Sequence, residues 1–572
     1  MANKKLFGSA LPGRTVPKTD TTNRAGGKAY AFGPEHTLAQ LACTGTFNDT
    51  PSATVADQLE TIRKAASQCS PEFIAQCAVY AREKGYMKDM PAALAVILST
   101  KDPALLDAVF DRVIDNGKQV RNFVQFVRSG AFGRKSLGSG PKRLVRRWFA
   151  ERSDYSLFRA SVGNDPSLAD IIKLARPRPA DVVKAAKARG DSVEEAEARV
   201  LARRALLAYL IGRTYEPAAL PKIVQEFEAW KRGERTEGGV PNVDFRMLTS
   251  LPLTKEDWAE IAKRGGWHQT RMNLNTYARQ GVFEITGMES VVAGKLIDAE
   301  AIRKGKVFPY QLLAAYLNTG PGTARSYGYS YSRQPAKPQV EVPQRVRLAL
   351  QDALEIAVEN VPATAGRVAV VVDTSGSMQS PVTGRRQGAT SKVTCVDVAA
   401  LVGATVMRKN PLAVVVPVDT RVHRTDMLNP RDSIMTNADR LRKLGGGGTD
   451  LGAAMRFLET ATEAPDLIIM VSDNESWYDP SGQRRRYYQT TGVQESWQRI
   501  RHRNPKAKMV CIDIQVTDNT QALDGHGVMN IGGFSDTIWE TISRFVSGEG
   551  PQTWVDEIKS ISLERKPAGA TA

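Results

Sequence analysis

The hydrophobic pattern of the chain changes period near residue 366, and that change constrains the fold more than any other feature. Beyond it, RVAVVVD (367–373), PLAVVVPVD (411–419), DLIIMVSD (466–473) and KAKMVCIDI (506–514) are short, almost unbroken apolar runs rich in β-branched residues. Runs of that length and composition are strands covered on both faces. They alternate with helical stretches such as SKVTCVDVAALVGATVMRK, DLGAAMRFLETA and ESWQRIRHR. The alternation predicts a doubly wound parallel sheet, in which ligands bind beyond the carboxyl ends of the strands.

From about residue 54 to residue 317 the apolar residues recur at helical spacing instead, as in ADQLETIRKAASQC, PEFIAQCAVYAREKG, MPAALAVILST, PALLDAVFDRVIDN and VRNFVQFVRSG. Gly, Pro or a polar cap interrupts each stretch. A train of short helices stacks into an α-solenoid, although no fixed sequence period marks repeats here. Residues 319–345, TGPGTARSYGYSYSRQPAKPQVEVPQR, have the composition of a connector. At 572 residues the chain exceeds one hydrophobic core.

Charge follows the same division. Residues 1–350 hold 53 Lys and Arg against 35 Asp and Glu, whereas residues 351–572 hold 25 against 26. The helical part therefore attracts a polyanion, and with ordinary aromatic content nucleic acid is the expected partner rather than a membrane. No stretch approaches the ~18–20 apolar residues of a membrane span, and the basic start lacks the apolar core of a signal peptide. Cys43, Cys69, Cys77, Cys395 and Cys511 show neither CxxC spacing nor His partners. A cytoplasmic location is expected.

Chemistry concentrates at the strand ends. Asp373, Ser375 and Ser377, in D-T-S-G-S, put hard oxygen donors on a tight turn after the first strand. Thr449 lies in LGGGGTD before a helix, and Asp473 ends a later strand. Carboxylates and hydroxyls without His or Cys suit Mg²⁺ or Mn²⁺. D-x-S-x-S, a Gly-flanked Thr-Asp and a strand-end aspartate resemble the metal-ion-dependent adhesion site (MIDAS) of von Willebrand factor A domains. That resemblance extends over residues 366–549, and it implies a divalent cation on these five residues with one position open for a ligand. Enzyme readings are weaker: DTSG is not the DTG of aspartic proteases, GGGGTD lacks a P-loop lysine, and the five histidines show no ligand spacing. A non-enzymatic protein is expected.

In GSGPKRLVRRWFAER, Lys142, Arg143, Arg146 and Arg147 share one arc of a helix, and Leu144, Val145, Trp148 and Phe149 share the opposite arc. Pro141 suits a first turn and Ser139 a cap. Of the four cations only Arg147 has an acid at i±4, Glu151, so three stand without a neutralising partner at helical spacing, and Arg134 and Lys135 lie just upstream. A solvated face over a core stripe and an RNA-binding face both fit this pattern. A second cluster, Lys173, Arg176 and Arg178, lies where a helix ends near Pro177. Its cations suit phosphate binding or the helix dipole equally.

GSGPKRL, LARPRP, RMLTSLPLTKEDW, NLNTYARQGVF and KVFPYQLLAAYLN, in that order before an A domain, resemble the Ro autoantigen family. The resemblance implies a flexible start (1–24), a TROVE module (25–360) built as a HEAT-like ring of paired helices, an A domain (361–549) and a C-terminal segment (550–572). The fold class is thus α plus α/β, in a monomeric ring. It further implies a Y-like small noncoding RNA on a basic outer face and 3′ ends of misfolded RNA in a central hole. An exoribonuclease partner and a role in RNA quality control would follow. Arg176 stands where members carry a Y-RNA-contacting histidine, and Arg159 lies near another basic contact. A competing expectation makes the A domain a metal-dependent scaffold that captures an acidic partner peptide.

Overall fold

The computed structural model describes residues 16–50, 53–235, 238–320, 341–364, 366–385, 391–478, 490–535 and 537–565. Two compact units emerge: residues 1–68 with 361–558, and residues 69–360 with 559–572.

The first is an α/β unit. Its strands, in chain order, are β1 (Thr21–Thr22), β2 (Lys28–Ala31), β3 (Val368–Asp373), β4 (Val414–Val418), β5 (Leu467–Ser472), β6 (Lys508–Asp513), β7 (Asn519–Thr520) and β8 (Val528–Gly532). Five of them form a sheet in the order β4-β3-β5-β6-β8, every neighbouring pair parallel. The four apolar runs are β3 to β6, and β3 and β5 are buried at every position. Helices Cys395–Lys409, Leu451–Glu459 and Gly492–Arg503 stand where the sequence placed them. Val371, Met470 and Met509 from the strands pack with Leu451, Met455, Trp497 and Ile500 from two of these helices in one core cluster.

The sequence reading assigned residues 25–68 to the helical module, and the structure assigns them to the α/β unit. The physical reason is backbone pairing: β1-β2-β7 form a small antiparallel sheet in which Tyr30 pairs with Thr520. Helix α1 (Pro34–Thr44) packs beside β8, and its Gln40 amide donates to Asp513 Oδ2 at 2.6 Å. Between α1 and α2 (Val55–Gln68), the Arg385 amide donates to Asp49 O at 2.7 Å. Amphipathic period identifies such helices but not the partner that covers them. Of the segment expected to be flexible (1–24), residues 1–15 lie outside the described residues, whereas Thr21–Thr22 are paired in β1.

The second unit is helical: α3 (Pro71–Glu83), α4 (Met90–Lys101), α5 (Pro103–Val113), α6 (Gly117–Arg128), α7 (Ser139–Glu151), α8 (Asp154–Ala160), α9 (Leu168–Ala175), α10 (Pro179–Arg189) and α11 (Val193–Leu210), followed by further helices to Ala357. Short polar residues start them: Ser70 accepts from the Phe73 amide, Asp102 from Ala104 and Leu105, and Asn116 from Lys118 and Gln119. Helices one to three places apart in sequence pack, α3 on α4 and α5, α4 on α6, α5 on α7, and α7 on α9 and α10. This is the stacking expected of a solenoid of helix pairs. Most of the predicted connector, residues 321–340, lies outside the described residues, and helix Gln344–Ala357 follows it.

Candidate metal centre and nucleic-acid interface

Asp373 and Asp473 end and immediately follow the adjacent parallel strands β3 and β5, so the fold brings both carboxylates together at the carboxyl edge of the sheet. Both are buried, as are Ser375 and Thr449. Asp373 Oδ1 accepts from the Ser375 amide at 2.9 Å and Oδ2 from the Ser472 hydroxyl at 2.6 Å. The Ser375 and Ser377 hydroxyl oxygens are 3.2 Å apart, and the Ser377 side chain hydrogen-bonds Asp473. The glycine run brings Thr449 to the same place. The Gly446 amide donates to Thr374 O at 2.9 Å and the Gly376 amide to Gly447 O at 2.9 Å. Gly445, at φ +77°, passes so close that a Cβ there would lie 2.4 Å from Thr374 O. Ser377, Thr449 and Asp473 line one cavity.

Burial, and then the neighbouring Asp473 charge, push the Asp373 carboxyl up to about 7. Burial also raises that of Asp473. Two buried carboxylates that oppose each other's ionisation, ringed by hydroxyls, form a donor set that a hard divalent cation neutralises. Among the described residues no group of three or more His, Cys, Asp and Glu is placed to hold a metal, so this centre depends on its hydroxyls. The five expected ligands, which the fold gathers, fit Mg²⁺ or Mn²⁺.

The sign of a pH dependence follows. Between the ordinary Asp value of 3.8 and about 7, the folded cation-free chain holds a proton that the unfolded chain releases. This contribution to stability is present at low pH and lost as pH rises through about 7. A cation held by these donors would compete with the same proton, so the expected result is Mg²⁺ affinity that strengthens as pH rises through about 7, with proton release on binding. Calorimetry in two buffers of different ionisation enthalpy reads that release.

Sequence reasoning missed several residues that shape this site. Asp419, just beyond β4, accepts the Gly447 amide at Oδ2 (3.2 Å) and the Asp450 amide at its carbonyl (2.7 Å), so it holds the glycine loop. Its position in PLAVVVPVD, a strand-end aspartate like Asp373, was the available signal. Arg24, Glu475 and Trp477 line the cavity, and no local motif announces them. Asp450 caps the helix after Thr449, accepting from the Ala453 amide at 3.1 Å and Arg456 Nη2 at 2.6 Å.

The structure divides the basic residues. Asp107 and Asp111 on α5 neutralise part of the α7 face that local spacing left open. Arg147 pairs with both, and Arg143 Nη2 lies 3.3 Å from Asp107 Oδ2. Arg146 Nε donates to Ala175 O at 2.7 Å, so it caps the end of α9. Arg134 donates to Ser99 O (2.8 Å) and Leu137 O (3.2 Å), joining the last turn of α4 to the loop before α7. Arg159 pairs with Asp244 at 2.7 Å and Arg178 with Asp181 at 3.1 Å, yet both remain largely exposed. Lys135, Arg143, Lys173 and Arg176 are exposed and Lys142 is half-exposed. Arg176 directly follows α9 in the left-handed conformation, φ +54°. Ser139 is not the cap of α7; Gly138 precedes the helix at φ +62°, and its backbone makes the turn that the sequence reading gave to a hydroxyl.

Buried Arg203 of α11 anchors the other end of α7, donating to Phe149 O and, at 2.6 Å, to Arg152 O. On the inner side of α7, Trp148 is buried and its indole N–H donates to Ile114 O at 2.8 Å. The helix is thus held by its apolar arc and by three of its own or neighbouring arginines, with Lys142 and Arg143 left outward.

Residues 367–546 match the family described as the Ro60 vWA domain. A Caenorhabditis elegans protein named "RNA-binding protein RO60" is 23% identical over 282 residues, 48% of this chain and 39% of that protein. A Deinococcus radiodurans protein of the same name is 23% identical over 343 residues, 56% of this chain and 60% of that one. The matches thus span less than two thirds of either relative. The crystal structure of the Deinococcus radiodurans RO (RSR) protein superposes with a TM-score of 0.58 at 17% identity, covering 90% of this chain and all of that one, a likeness of fold. No described helix is long and apolar enough to cross a membrane. Residues 367–546 thus match the Ro60 vWA family, and the chain as a whole is similar to Ro proteins in sequence and in fold.

Proposed function

We propose that the chain is a non-enzymatic RNA-binding protein. It takes a small structured noncoding RNA of the Y-like kind on the exposed cations of its helical unit, and single-stranded 3′ ends of misfolded RNA in a central opening of that unit. It acts in RNA quality control in the cytoplasm, with an exoribonuclease as a partner. The α/β unit holds Mg²⁺ or Mn²⁺ on Asp373, Ser375, Ser377, Thr449 and Asp473.

One observation carries the reading. Outward cations persist on α7, α9 and the segments flanking them outside the ion pairs described above, Lys135, Lys142, Lys173 and Arg176, and beside them Arg143 stays exposed despite its contact with Asp107. Cations that a fold leaves outside its own network are available to phosphates, and two relatives are named for RNA binding. Crosslinking in cells followed by sequencing of the bound RNA tests it. Recovery of a few abundant small structured RNAs, lost when these five residues become Gln, is the expected result. Recovery of no RNA above background refutes it.

A further inference from the structure

A cavity of about 460 Å³ opens beside Ser377, Thr449 and Asp473 within the α/β unit. That volume lies in the range of sites that enclose a whole small molecule, ~300–1,000 Å³, and exceeds what one carboxylate group fills. Beyond the metal-site residues it is lined by Arg24, Glu475, Trp477 and Gln515. Trp477 is half-exposed, yet its position is fixed: its amide donates to Thr449 O at 3.0 Å, and its ring lies so close to Gly448 that a Cβ there would meet Cζ2 at 2.7 Å. A rigid indole with open surface beside a cavity is a stacking platform.

Arg24 is brought to the cavity by the turn between β1 and β2. Asn23 Nδ2 donates to Ser476 O at 2.8 Å and the Ala25 amide to Glu475 Oε2 at 3.0 Å, so the turn is tied to the same segment that carries Trp477. Its exposed guanidinium has the planar fork that recognises phosphate. The remaining polar groups are acceptors: the Glu475 carboxyl, and the buried Gln515, whose Oε1 has no hydrogen-bond partner. A ligand carboxylate, which only accepts, leaves both unmatched. Sugar hydroxyls and base amines donate to them.

We propose that this cavity binds a single unpaired nucleotide, with its phosphate between the cation and Arg24 and its base against Trp477. Mg²⁺ characteristically binds through one or two carboxylates together with ligand phosphates, which is the donor set this arrangement completes. The inference rests on the metal reading above and goes beyond it in naming the ligand class.

The test uses the full chain loaded with Mn²⁺, with adenosine and uridine 5′-monophosphates as probes and N-acetyl-aspartate amide as the acidic-side-chain probe. Water-proton relaxation by bound Mn²⁺ reports whether a probe displaces metal-bound water, and calorimetry gives the affinities. Both nucleotides are expected to lower the relaxation enhancement. Trp477→Ala and Arg24→Gln are each expected to weaken the nucleotides about tenfold while leaving Mn²⁺ affinity unchanged. Bound Mn²⁺ with no nucleotide response, or nucleotide affinity indifferent to both variants, overturns the proposal and leaves the metal reading standing. Tighter binding of N-acetyl-aspartate amide than of either nucleotide overturns it in favour of an acidic peptide. Failure of the wild type to bind Mn²⁺ removes both readings.

Discussion

Asp473→Ala is expected to reduce Mg²⁺ and Mn²⁺ affinity at least about 100-fold, because it removes one of the two carboxylates among the five expected ligands and exceeds the roughly 10–100-fold cost of losing a mere supporting contact. Asp373→Ala will do the same. The two variants will differ in stability. Asp473→Ala relieves the repulsion between two buried like charges but leaves the Ser377 side chain and the Glu475 amide without their partner, the latter from a long 3.4 Å contact, so the cation-free protein should melt near wild type. Asp373→Ala leaves the Ser375 amide and the Ser472 hydroxyl without their acceptor, at a cost of about 1–3 kcal/mol. Calorimetric titration with both cations, beside thermal melts in chelator, separates these effects. Unchanged metal affinity in both variants would refute the centre.

Replacing Lys135, Lys142, Arg143, Lys173 and Arg176 together with Gln will flatten the dependence of log RNA affinity on log salt by about two to four units, at roughly 0.7–0.9 per phosphate contact. Many RNAs should weaken alike, because phosphate contacts position an RNA without reading its sequence. Thermal stability should change little, since Gln is a good helix former and these side chains face solvent. Arg147 is deliberately kept. Burial pushes the Asp111 carboxyl up even with Arg147 and Arg565 beside it, and removing Arg147 would leave that group less compensated. Lines of equal slope for wild type and variant would show that phosphates do not meet these residues.

Most of the α/β sheet could be read from the sequence because continuous β-branched runs admit few alternatives. The exception was β8: VMNIG is too short and mixed to stand out, and it is a strand because β6 pairs with it. The five metal-site residues were legible for a related reason, since each lies at a strand end or in a glycine loop where motif and topology coincide. The basic face was less so. Its neutralisation depends on Asp107 and Asp111, some 35 residues away in sequence and one helix away in space, and spacing along α7 carries no information about α5. Arg24 and Trp477 were invisible for the same reason: hydrogen bonds from Asn23 and Ala25 to Ser476 and Glu475 bring the two distant segments together.

The chain starts one unit, builds another, and returns. Residues 16–68 belong to the α/β unit, but its sheet begins at Val368 and its last strand ends at Gly532. Translated at about 5–20 residues per second, the opening segment waits roughly half a minute to a minute and a half before residue 558 has been made. Throughout that interval the apolar faces of α1 and α2 and the edge of β2 have no sheet to cover them, while the helical unit is already long enough to fold beside the ribosome. The vulnerable species in biosynthesis is therefore a half-made molecule whose first helices are orphaned. A chaperone that shields nascent chains should matter to its yield far more than to its refolding at low concentration.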